Sequence, residues 1–155
     1  MLMDTPEKLS AELNALNEEF KQSEEYFLIQ KIQMQSTTVS SADKNRIRES
    51  ILNVYSKLFL SISLDRNINV MVTCVLSSMQ FTSATISQIL NMEDSSVRSL
   101  KHRLKKKMEP EIFGLFFEPK DESLKQDAPV QNKKRKPYLW VALGCIVIAI
   151  SLLLV

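Results

Sequence analysis

The sequence predicts an all-α protein: a helical bundle followed by one transmembrane helix at its C-terminal end. Three observations predict it. Long stretches place apolar residues at helical period, and almost none alternate at period two. Glycine and proline are scarce, 2 and 5 in 155 residues. Residues 138–155 (YLWVALGCIVIAISLLLV) carry no charge and only one aliphatic hydroxyl, Ser151. At the helical rise per residue that run is about 27 Å long, close to the hydrocarbon thickness of a bilayer.

Charge and cysteine usage narrow the setting. The net charge of +2 hides a polarity. The N-terminal part is acidic, with Glu7, Glu12, Glu18, Glu19, Glu24 and Glu25, whereas positive charge gathers from Arg98 to Lys107 and again at residues 133–136. Such asymmetry predicts an anionic partner for the basic part. Cys74 falls in a predicted core helix and Cys145 in the apolar run, which argues against a disulfide framework and for a reducing compartment. Residues 1–10 are polar and acidic, so no signal peptide is expected there. One histidine, no Cys/His metal spacing and two isolated glycines, Gly114 and Gly144, give no catalytic constellation and no phosphate loop. The chain therefore reads as a non-enzyme without a cofactor.

Taken in order, residues 1–34 read as an N-terminal helix. Leu9, Leu13, Leu16, Phe20 and Phe27 advance in steps of 4, 3, 4 and 7, which is heptad spacing with Ser23 as a gap. Two readings stay open: a helix packed on its own domain, or a short coiled coil that makes a homodimer. Residues 35–41 (QSTTVSS) form a loop whose last serine, Ser41, caps a second helix at 42–60. Its apolar stripe is Ile47, Ile51, Val54, Tyr55, Leu58 and Phe59. Three shorter helices follow at 65–78, 83–90 and 95–108, and Pro110 stops the last. Residues 112–117 (IFGLFF) fold back on the core and close a helical domain at 42–117. Residues 118–137, polar and basic with Pro119, Pro129 and Pro137, form a tether to the membrane.

The anchor has interfacial flanks. Tyr138 and Trp140 sit at its start, where amphipathic rings favour the headgroup level. Lys133, Lys134, Arg135 and Lys136 precede them. A basic run of this kind also fits a nuclear-localisation signal, but beside an apolar helix it reads as the anchor's flank. By the positive-inside rule the N-terminal bulk then lies in the cytoplasm of a single-pass protein of the cytoplasmic membrane.

The segment at 65–108 carries the functional signal. The helix SATISQIL is two turns long and uncharged, with Thr82 before it as a cap and Asn91 after it. Asparagine tolerates the left-handed conformation needed past a helix end. Asp94 is expected to cap the next helix, along which Val97, Leu100, Leu104 and Met108 form one apolar face. Residues 94–108 hold six Lys or Arg and one Asp, a net charge of 6 − 1 = +5. A short helix, a tight turn and a basic helix that begins with small polar residues is the pattern of a helix-turn-helix, in which the last helix enters a DNA groove and cations attract phosphates.

Residues 86–90 (ISQIL), 91–97 (NMEDSSV) and 98–108 (RSLKHRLKKKM) resemble the LuxR-type helix-turn-helix. The matching positions are Ile86, Leu90, Met92, Ser96, Val97, Arg98, Lys101, Arg103, Leu104, Lys107 and Met108. The longer stretch 23–117 is similar to the C-terminal cytoplasmic region of membrane-bound bacterial regulators, which often combine tetratricopeptide repeats, a transmembrane helix and such a DNA-binding end. SEEYFLIQKI, YSKLF and Cys74 before Leu76 carry that likeness. The chain departs from the family in having Val70 for a common Glu, Gln80 for the turn Gly, and Thr85-Ile86-Ser87 for Glu-Ile-Ala. Its anchor also follows the motif. The resemblance implies a transcriptional regulator with double-stranded DNA as partner. It makes Ser96, Arg98, Ser99 and His102 the base-edge candidates, and Lys101, Arg103, Lys105, Lys106 and Lys107 the phosphate candidates. The rival class is a membrane-anchored protein-interaction module, anti-sigma-like or adaptor, that keeps the fold and binds a regulatory protein partner.

Overall fold

The computed structural model describes residues 5–35, 38–64 and 66–119. Within them the chain forms seven helices and no strand: α1 (Pro6–Phe20), α2 (Glu24–Gln35), α3 (Ser41–Ser61), α4 (Ile68–Ser78), α5 (Ser83–Leu90), α6 (Asp94–Lys107) and α7 (Pro110–Phe117). The all-α expectation therefore holds for the described residues. None of their helices is long and apolar enough to cross a membrane. The expected transmembrane run at 138–155, its flank Lys133, Lys134, Arg135, Lys136, Tyr138 and Trp140, and the tether beyond residue 119 lie outside the described residues.

α4 organises the bundle because its sequence carries no charged residue and little that water would hold. Val70 to Ser78 are all buried, and the helix packs against α3, α5, α6 and α7. A helix without a charged face is stable in the middle of a bundle, where its few hydroxyls are buried among neighbouring helices. α3 lays Ile47, Ile51, Tyr55, Leu58 and Phe59 of its predicted stripe against α4 and α1, while Val54, the sixth member, is only half-buried. α7 folds back on α4, and Phe116 is buried with its ring 5.7 Å from that of Phe59.

Several boundaries differ from the sequence reading. The N-terminal segment is two helices, because Ser23 ends the heptad run. Its hydroxyl donates to the Phe20 carbonyl (2.6 Å) and accepts from the Tyr26 amide (3.2 Å), and Glu24 and Glu25 follow in the first turn of α2. That is a helix start, with an oxygen for an orphan amide and acid near the positive end of the dipole. Leu9, Leu13 and Phe20 are buried in the chain's own core, so those members of the heptad stripe pack on their own domain; Phe27, beyond the break, is 57% exposed. Ser40, not Ser41, caps α3. Asn67 caps α4, which starts at Ile68 and not at residue 65. Pro110 follows α6 but occupies the first turn of α7, where its missing amide costs nothing.

One buried polar group ties three helices together. The Tyr55 hydroxyl on α3 donates to Asn17 Oδ1 on α1 (2.8 Å). Asn17 Nδ2 donates to Ser78 Oγ on α4 (3.1 Å), and that hydroxyl donates to the Val75 carbonyl (2.7 Å). Burial pushes the Tyr55 phenol above its usual pKa, so it stays a neutral donor. Tyr55→Phe keeps the ring but strands the Asn17 oxygen, and is expected to lower stability by about 1–3 kcal/mol. Urea unfolding followed by circular dichroism measures the loss.

Candidate nucleic-acid interface

The residues that the sequence groups into a motif are brought together by two tight turns and two braces. α4 ends as the Phe81 amide donates to the Leu76 carbonyl (3.0 Å) and Gln80 takes φ 66°. α5 ends in the same way: the Met92 amide donates to the Ser87 carbonyl (3.0 Å), and Asn91 takes φ 52°, ψ 43°. Both turns need a left-handed residue. Asn91 meets that need as its residue type predicts. Gln80 meets it at a cost. Gln80→Gly is expected to stabilise the domain by roughly 1 kcal/mol, since a side chain in that region is strained by about that much. A thermal melt of the variant several degrees above that of the parent checks this.

Thr82 caps α5 by accepting from the Thr85 amide. Beside it, Gln33 Oε1 on α2 accepts from the Thr82 amide (3.0 Å) and the Thr85 hydroxyl (3.3 Å). Lys44 Nζ on α3 donates to Asn91 Oδ1 (2.7 Å). Thus α2 and α3 hold the two ends of α5. Sequence reasoning missed Gln33 and Lys44, and no local signal marks them, because both act across the fold. Arg46 on α3 also spans Glu24 and Glu25 of α2 at 2.9 and 2.8 Å, and its guanidinium holds the Glu25 carboxyl below the usual carboxylate range.

α6 presents three strips. Val97, Leu100 and Leu104 are buried against the rest of the domain, with Met108 just past the helix end. At 3.6 residues per turn the opposite ridge is Ser95, Ser99, His102 and Lys106, all exposed. Arg98 and Lys105 flank it on one side, and Arg103 and Lys107 on the other. Ser99 and His102 therefore stand where the sequence places them. Ser95 joins them, although the sequence reading passed over it. Ser96 is half-buried on the Arg103 side and leaves the ridge.

Two charges sit differently from expectation. Asp94 is the first helical residue, not the cap; Glu93 holds the cap position and makes no side-chain cap bond. The Asp94 carboxylate pairs instead with Arg98 one turn on, at 2.7 Å. Lys101 turns back toward the domain. Its Nζ donates to Ser83 Oγ (3.2 Å) and stands 5.9 Å from the centroid of the Phe117 ring. Loss of water there lowers its pKa, the usual effect of burial on an ammonium. It therefore faces away from the ridge. The free positive field belongs to the C-terminal half of α6, at Arg103, Lys105, Lys106 and Lys107, whereas Glu93 and Asp94 make the N-terminal end locally acidic.

Among the described residues no group of three or more His, Cys, Asp or Glu side chains is placed to hold a metal ion. Compared with known proteins, the chain matches no family model, no curated protein and no solved structure.

Proposed function

We propose that this protein is a membrane-tethered regulator that binds double-stranded DNA through α6. One observation carries the reading: the exposed ridge of Ser95, Ser99, His102 and Lys106 on α6 is flanked on both sides by cations and follows the short capped helix α5 across a tight turn. Small hydroxyl side chains permit close approach to base edges, and lysine and arginine at the margins meet the phosphates on either side of a groove. The membrane part of the proposal rests on the apolar run at 138–155 and its basic flank. Such a module binds modestly and with strong salt dependence. Pairing of two copies would raise the avidity.

Selection from a random genomic fragment library at two salt concentrations tests the reading. Enrichment of a shared sequence, altered when Ser99 and His102 are replaced by alanine and retained with weaker overall binding when Arg103 and Lys106 are, is the expected result. Binding without sequence preference, or none, would overturn it.

A second reading is favoured by the acidic N-terminal end of α6. Glu93 and Asp94 stand where a recognition helix usually meets DNA, and phosphates repel them. A membrane-anchored module that docks a regulatory protein tolerates that end. It predicts a stoichiometric protein partner and no enriched DNA site.

A further inference from the structure

The positive charge of α6 is one-sided, and a cation from another helix stands at its poorer end. Arg103, Lys105, Lys106 and Lys107 are exposed in the C-terminal half, whereas the N-terminal end carries Glu93 and Asp94. Asp94 is offset by Arg98 at 2.7 Å. The Glu93 carboxylate accepts from the Ser95 hydroxyl (3.3 Å) and has no ion pair among the described residues. Lys44, from the start of α3, reaches this end across the fold. Its Nζ donates to Asn91 Oδ1 at 2.7 Å, three residues before α6 begins. That bond is exposed to solvent and uses one of the three ammonium protons. Lys44 makes no ion pair among the described residues. The adjacent acid on α3, Asp43, is turned to the helix start, where it accepts from the Ser40 hydroxyl (2.7 Å).

We propose that the DNA surface extends beyond α6 onto α3, with Lys44 on the phosphates at the N-terminal end of α6 and Arg103, Lys106 and Lys107 on those at the other end. α6 has 14 residues and is about 20 Å long. The major groove is about 12 Å wide and is walled by phosphates on both sides. A helix of that length docked in it brings each end close to a wall, so each end needs a cation. The sequence of α6 supplies unpaired cations in its C-terminal half, Arg98 being held by Asp94, and the fold supplies Lys44 at the other end. Ser95, Ser99 and His102 then lie between the two charged ends, over the base edges. Asn91 fixes where the ammonium stands, and its two remaining protons meet phosphate oxygens in charge-assisted bonds. Lys44 also offsets the repulsion between Glu93 and the phosphates. The inference rests on DNA binding by α6 and adds a contact outside the helix-turn-helix.

The test is fluorescence anisotropy of the full chain in nonionic detergent, across a salt series, with a duplex carrying the sequence enriched by selection. Lys44→Gln is expected to weaken binding about three- to tenfold near physiological salt and to reduce the salt slope by about one, with the preferred sequence unchanged. Lys44→Arg keeps the charge and is expected to restore both. Neutralising single phosphates of the duplex as methylphosphonates locates the contact: one position should weaken the parent and leave Lys44→Gln unaffected. A slope unchanged in Lys44→Gln, while the Arg103/Lys106 variant loses about two, overturns this inference and leaves the role of α6 standing. A loss that Lys44→Arg does not repair, or the absence of any such phosphate, overturns it as well, because the lysine then only braces the turn. An unchanged slope in both variants, or no enriched sequence, removes the DNA reading and this inference together.

Discussion

Replacing Arg103 and Lys106 together by alanine is expected to weaken DNA binding by about 10- to 100-fold near physiological salt and to reduce the salt slope by roughly two. Both residues are exposed and lie in the C-terminal half of α6, one on the outward ridge and one on its flank. Neither is committed to an ion pair among the described residues, unlike Arg98, which is held by Asp94 at 2.7 Å. Each lost cation removes one phosphate contact and the counterion release that goes with it. The weakening should be nearly uniform across sequences, because phosphates carry no sequence information. Ser99→Ala and His102→Ala should behave in the opposite manner, changing which sequence is preferred and leaving the salt slope intact. Fluorescence anisotropy across a salt series measures both quantities. An unchanged slope in the Arg103/Lys106 variant would remove α6 from the interface.

Phe59→Ala is expected to cost about 3–5 kcal/mol, a large share of the stability of a domain this size. Phe59 is fully buried and meets Phe116 of α7, while α3 supplies the long support against which α4 packs. Truncation leaves a cavity where two helices meet, and neither can close it without moving α7 off α4. The melting temperature should fall by more than about 10 °C. Leu60→Ala, next along α3 but 55% exposed, should change it little. A drop of less than about 1 kcal/mol for Phe59→Ala would show that the α3–α7 contact is not part of the cooperative core.

What was legible in the sequence was what short-range physics decides. The cap of α5 at Thr82, its bounds, the left-handed Asn91 and the buried face of α6 all follow from residue type and helical period. The sequence reading also put Cys74 in a core helix, and α4 buries it. The break at 21–23 was legible in principle: a serine followed by two glutamates is a helix start, but heptad spacing carried the reading across it. Asp94 looked like a cap because an acidic residue opens the helix; the structure uses it one position later and pairs it with Arg98. The orientation of Lys101 depends on where α7 returns, and the braces from Gln33 and Lys44 depend on how α2 and α3 dock. No local pattern encodes those contacts.

The central claim is that α6 is the surface that meets DNA. Backbone amide NMR of residues 1–120, which form one compact unit, measures it most directly during titration with an enriched duplex. The account predicts that the largest shifts gather on Ser95, Ser99, His102, Arg103 and Lys106, with α1 and the outer face of α2 unchanged. Shifts centred on α1 and α2, or no shifts on α6 at saturating duplex, would contradict it.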